Sequence, residues 1–214
     1  MPRVSEEHLS ARREQILTAA WRCFARDGFH MTSMQDIFDE AGLSAGAVYR
    51  YFPGKIDLIK ATAERVSQGL SSAFDQIEVS EPVPRPVEAL RQVMTSVLDF
   101  VSAQPVDPTR IAMHVWSEAL REPQVGAVAR DFGIAARARW EAIAIRWQRA
   151  GLITNSAQPG EISKFLYGAM AGFLVQRNLV GDIDIDQYLS GFTALLERTQ
   201  DEHRATDGAS EPTG

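Results

Sequence analysis

The sequence predicts an all-α chain of about nine helices, and three observations carry that expectation. Apolar residues recur three and four apart along almost the whole chain, and no stretch alternates with period two between turn signals. Glycine, proline or a Ser/Thr/Asp cap separates each periodic segment from the next. With 45% hydrophobic residues in 214, there is enough apolar material to bury a core.

The first helix is expected from about Ser10 to Asp27, with Ile16, Leu17, Ala20, Cys23 and Phe24 as its apolar stripe and Gly28 as its stop. Cys23 is the single cysteine and lies in that stripe, so it reads as core packing. One cysteine excludes an intramolecular disulfide framework and fits a reducing compartment. Thr32 or Ser33 caps a short second helix, with Gln35 and Asp36 placed for a return bond and Met34, Ile37, Phe38 and Ala41 as the buried face. Gly42-Leu43 turns the chain. Ser44 caps a third helix ending near Phe52, and Pro53-Gly54 breaks it. A long fourth helix runs from Lys55 to about Ile77.

"EVSEPVPRP" is a proline-rich surface connection, followed by a helix from about Pro86 to Ala103 with Leu90, Val93, Met94, Val97, Leu98 and Val101 on one face. "AQPVDPT" ends it. Further helices cover about Thr109–Arg121, Pro123–Ala150 (closed by Gly151), Glu161–Val180 and Asp184–Glu202. The tail "RATDGASEPTG" has no apolar content and is expected to be disordered. No run of eighteen apolar residues occurs, and "MPRVSEEHLSARREQ" has no apolar signal region. A cytoplasmic protein with no membrane partner is the expectation.

The net charge of −6 is unevenly spread. Residues 1–60 hold eight Lys/Arg and eight Asp/Glu, so the whole deficit lies beyond them. A local phosphate-binding face is therefore compatible with an acidic chain. Residues 32–55 have the layout of a helix-turn-helix, whose second helix must enter a major groove about 12 Å wide. Ala45, Gly46 and Ala47 keep the leading end of that helix slim. Ser44 caps it and can donate to a phosphate, as can Thr32 and Ser33 at the preceding cap. Tyr49 and Tyr51 add phenolic donors, and Arg50 and Lys55 add cations; such contacts set register and affinity. Val48 and Phe52 face the other way, toward Ile37 and Phe38.

"TSMQDIFDEAGLSAGAVYRYFPGKIDLI", residues 32–59, resembles the DNA-binding signature of the TetR family of transcriptional regulators, with Thr32, Ile37, Ala41-Gly42, Ser44, Tyr49, Phe52, Lys55 and Leu58 in matching places. Phe38 departs from it, standing where members commonly carry a small residue; Met31, Met34 and Ala47 are the expected compensation. The resemblance implies a homodimeric repressor that leaves a palindromic double-stranded operator when a small molecule binds the larger domain. It divides the chain into a reader, residues 1–54, a ligand-binding and dimerisation domain, residues 55–203, and the tail, residues 204–214.

In that larger part, Met94, Leu98, Val101, Met113, Trp116, Phe132, Trp140 and Phe173 are candidates for an adaptable apolar pocket, with His114 as a polar contact. Arg130, Arg137 and Arg139 read as a solvated face. The segment "EISKFLYGAMAGFLVQRNLV" is apolar nearly all round. Ile162, Phe165, Leu166, Ala169, Met170 and Phe173 form one face, and Gly168, Ala171, Gly172 and Val175 a second of small residues. Paired with Tyr188, Leu189, Phe192, Leu195 and Leu196, it fits a four-helix dimer interface; the plain alternative is the central helix of a monomeric bundle. No nucleophile–base pair, phosphate loop or metal-ligand spacing is present, so neither an enzyme nor a cofactor is expected. The second functional reading is a helical adaptor whose helix-turn-helix binds no DNA.

Overall fold

A computed structural model describes residues 6–194, and within them every element is helical. Eight helices are described end to end: α1 (Glu6–Met31), α2 (Met34–Ala41), α3 (Ala45–Tyr49), α4 (Lys55–Val79), α5 (Pro86–Ser102), α6 (Pro108–Ala119), α7 (Pro123–Arg149) and α8 (Pro159–Leu179). A ninth, α9, opens at residue 185 and is helical as far as it is described, to 194. Leu195, Leu196 and the tail 204–214 lie outside the described residues.

The sequence explains most boundaries. Prolines open α5, α6, α7 and α8, where the missing N–H is one a helix start leaves unpaired in any case. Ser33 caps α2 by accepting from Asp36 N while Asp36 Oδ2 accepts from Ser33 N at 2.7 Å. That reciprocal pair holds the Asp36 carboxyl below the usual carboxylate range, the hydroxyl bond from Ser33 contributing most and the backbone bond next. One expectation is corrected: α1 starts at Glu6, four residues early, and helical structure resumes after Gly28 up to Met31. The break at Gly28 is real, with φ 77° and ψ 168°, a backbone conformation open essentially to glycine alone.

Two cores divide the molecule, and α4 takes part in both. The first joins Ile16, Leu17 and Phe24 of α1, Ile37 and Phe38 of α2, Val48 of α3 and Leu58 and Ile59 of α4, and it extends to Ile111 of α6 and Val125 of α7. Cys23 is fully buried there, as expected. The second joins Phe74 and Ile77 of α4, Leu90 and Met94 of α5, Trp140 and Trp147 of α7, and Leu166 and Phe173 of α8. Trp147 Nε1 donates to Pro84 O at 2.9 Å and Arg146 Nη2 to Ser80 O at 2.8 Å, which pins the connection between α4 and α5. The halves are therefore welded along α4 and α7, with α6 packed against α1.

Candidate nucleic-acid interface and effector cavity

The third helix is held from behind and bare in front. Val48 and Phe52 are buried at 0% and 2% exposure, in the same core as Ile37 and Phe38. Ser44, Ala45, Gly46, Tyr49 and Arg50 are exposed, with Ala47 half-buried. A methyl group built on Gly46 would meet nothing within 4 Å. Ser44 Oγ accepts from Ala47 N at 3.4 Å and closes the first turn. The result is a narrow, convex helix start with a phenol and a guanidinium beside it, a shape that can enter a duplex groove.

Several expected contacts sit differently. Thr32 is 1% exposed, and its hydroxyl donates to Gly28 O at 2.7 Å, so it braces the α1–α2 corner rather than facing outward. Lys55 is also turned inward. Its Nζ donates to Phe29 O at 2.9 Å and Thr32 O at 2.7 Å and lies 4.5 Å from the Phe29 ring centre. Burial pulls that ammonium down from its ordinary pKa, opposed by Glu118 and Asp36. Tyr51 is half-buried against the first core. Ser33 stays exposed, but its hydroxyl donates to Asp36 Oδ2 at 2.7 Å. The bulk of Phe38 is not met by Met31, which is 74% exposed; the Tyr49 ring packs edge-on against it, centroids 5.2 Å apart.

Behind the reader lies a cavity of about 180 Å³ among α4, α5, α6, α7 and α8. Trp116, Phe132, Trp140 and Val101 line it, as the sequence suggested. Met94, Leu98 and Phe173 do not; they close up with the second core. Met113 is not in the lining either, and His114 is exposed, its Nδ1 3.2 Å from where a Gly28 side chain would begin. Arg139 belongs to no plain solvated face: it reaches Asp75 at 2.6 Å and Glu78 at 2.8 Å and covers the Phe74 ring. Most of the other lining residues went unanticipated, and three of them are informative. Thr62 and Tyr167 are polar residues on otherwise apolar faces, and Phe100 fits against side-chain-free Gly69. Paired glycine and aromatic positions on neighbouring helices were the available signal.

Thr62 connects cavity and reader. Its Oγ1 accepts from Trp21 Nε1 of α1 at 2.8 Å and donates to Leu58 O at 2.8 Å, with both residues nearly buried. Arg65, one turn on, lies over the same indole and donates to Gln104 at 3.1 Å.

On the far side of α8 an apolar strip stays open. Phe165 is 56% exposed and stacks on Phe192 of α9 with centroids 5.7 Å apart, and Leu179 is 74% exposed. Gly168 has open space where a side chain would be, and a side chain on Gly172 would approach the Tyr188 hydroxyl, which donates to Ala169 O at 2.8 Å. Ala171, expected on a small-residue face, lines the cavity instead, as does Met170. Leu196 lies outside the described residues. Among the described residues no cluster of three metal-ligand side chains occurs, and no helix is long and apolar enough to cross a membrane.

Comparison with known proteins agrees with this geometry. The family model for bacterial regulatory proteins of the tetR family matches residues 16–62. Over 72 residues the chain is 39% identical to the HTH-type transcriptional repressor Rv1474c of Mycobacterium tuberculosis, a match covering 34% of this chain and 38% of that one. The aligned part thus spans well under half the length of that relative. Among solved structures, GusR of Salmonella enterica superposes with a TM-score of 0.71 at 22% identity, over 92% of this chain and all of that one. A complex of SmeT with triclosan superposes with a TM-score of 0.66 at 24% identity, over 85% of this chain and 91% of that one.

Proposed function

We propose that this chain, which belongs to the TetR family of bacterial regulatory proteins, is a homodimeric repressor that a small, largely apolar effector releases from a palindromic operator. The family and the relatives it matches are transcription regulators. The observation that carries the reading is the bare, outward end of α3, rigidly backed by a buried Val48 and Phe52. Ser44, Ala45, Gly46 and Ala47 enter the major groove, with Tyr49 and Arg50 against its edges. Lys55 and Thr32 position the α1–α2 corner, and Ser33 and Tyr51 flank the contact. The reading unit extends past residue 54, because Leu58 and Ile59 belong to its core.

Two copies join through the strip of α8 and α9 that carries Phe165, Gly168, Ala169, Gly172 and Phe192; Leu196, expected to join them, lies outside the described residues. An effector in the cavity presses on α4 at Thr62, and Thr62 holds Trp21 of the reader. Half-sites lie about 34 Å apart, so displacing the two α3 helices by a few ångströms prevents both from engaging at once. The SmeT complex holds triclosan, which supports a small-molecule site in this architecture. The test is a mobility shift of the full chain on the DNA upstream of its own gene at low salt. Saturable binding with dimer stoichiometry is expected; a folded dimer that binds nothing there would favour the adaptor reading.

A further inference from the structure

We propose that the cavity takes an uncharged molecule the size of a benzene ring with a short substituent, carrying an oxygen or nitrogen acceptor; this rests on the cavity being the effector site. Size comes first. An engineered protein cavity of about 150 Å³ lined by aliphatic and aromatic side chains stays dry and binds benzene. The present one, about 180 Å³ and similarly lined, has room for roughly two or three more heavy atoms.

Charge comes second. No Asp, Glu, Lys or Arg lines the cavity. The arginines around it are engaged or outside: Arg177 donates to Asp107 Oδ2 at 3.0 Å, Arg139 bridges Asp75 and Glu78, and Arg137 acts on Tyr167 from beyond the lining. A carboxylate or ammonium entering would lose its hydration and meet no counter-charge, a loss that the apolar contacts of so small a ligand do not offset.

Polarity comes third. Five lining residues carry polar side-chain atoms: Thr62, Thr109, Trp116, Trp140 and Tyr167. Both threonines are satisfied. Thr62 Oγ1 has Trp21 and Leu58 as partners, and Thr109 Oγ1 donates to Asp107 Oδ1 at 2.6 Å and accepts from Asn178 Nδ2 at 3.0 Å. Trp116, Trp140 and Tyr167 hydrogen-bond to no described residue through their side chains, and none of the three polar atoms is sealed from open space. Trp140 is 1% exposed, so the space its Nε1 meets is internal. An indole N–H only donates, and the phenol also presents an O–H. An idle indole N–H of Trp140 on internal space, with two further unpaired donors on lining residues, calls for an acceptor on the guest.

Four probes of matching size test this on the full chain by calorimetry and indole fluorescence: acetophenone, ethylbenzene, benzoate and benzylammonium. Acetophenone is expected to bind about fivefold to tenfold more tightly than ethylbenzene, the worth of one hydrogen bond. Both ions should bind at least about a hundredfold more weakly than the ketone. Tyr167→Phe, Trp116→Phe and Trp140→Phe are read together, because Trp140 packs on Phe74 at 5.1 Å and its replacement endangers the fold. At least one of them should erase the ketone's advantage while leaving ethylbenzene unchanged. Ionic probes matching the ketone, a ketone no better than ethylbenzene, or no binding by any probe would each overturn the proposal. Operator binding is titrated separately without probes, so its failure would sink the regulator reading and leave the ligand class untouched.

Discussion

Replacing Thr62 with valine isolates the link between cavity and reader. The change keeps shape and β-branching but removes the oxygen that accepts from Trp21 Nε1 at 2.8 Å. Trp21 is 2% exposed and Thr62 8%, so water cannot easily substitute as acceptor. A buried donor stranded in this way costs about 1–3 kcal/mol. The second bond of Thr62, to Leu58 O within α4, adds little because that carbonyl keeps its helical partner. For a chain of this length each kcal/mol moves Tm by roughly 2–4 °C, so a fall of about 2–12 °C is expected in calorimetry. Thr62→Ser, which keeps the hydroxyl, should lose less. Trp21→Phe removes the donor, so the double variant should be about 1 kcal/mol more stable than the two separate losses predict. Additive losses, or a Thr62→Val melting curve identical to wild type, would refute the bond as an energetic link.

Gly46→Glu should abolish operator binding with an unchanged melting curve, since a side chain there meets nothing within 4 Å; loss of folding would mean that position 46 is internal. Gly69→Ala places a methyl group against the Phe100 ring, so it should cost about 1–3 kcal/mol by overpacking and alter probe binding in the cavity, both read by thermal shift. Phe165→Glu should convert dimers to monomers in sedimentation without unfolding them, because the ring is 56% exposed within one chain. Asp36 has its folded pKa lowered, so its stabilisation of α2 is full above the unfolded value of about 4 and is lost as pH falls through the lower folded value. Asp36→Asn should remove that component of acid sensitivity, checked by melting curves between pH 2 and 5.

What the sequence made legible was local. Caps at Ser33 and Ser44, the proline starts of α5 and α7 and the break at Gly28 depend on a few adjacent residues and stand where the pattern put them. By contrast, α6 and α8 start one and two residues earlier, at Pro108 and Pro159. Lys55 and Thr32 escaped because their partners are decided by tertiary approach: an ammonium reaching carbonyls 26 and 23 residues away looks, in sequence, like any exposed cation. The cavity was half legible for a related reason. Helical spacing gives the face that turns inward, but not whether inward neighbours close up, as around Met94 and Phe173, or leave a void, as around Trp116 and Trp140. His114 fell outside the cavity because the packing of α6 on α1 sets it beside Gly28, an arrangement no single-helix pattern encodes.

The central claim is that cavity occupancy sets the spacing of the two readers. It is tested most directly by the distance between spin labels at Met31→Cys in the two copies, since Met31 is 74% exposed and Cys23 is fully buried and out of reach of the label. On operator DNA a single narrow distance is predicted, and a saturating effector should shift it by several ångströms as the DNA is released. Release of DNA with the same distance distribution before and after would contradict the account.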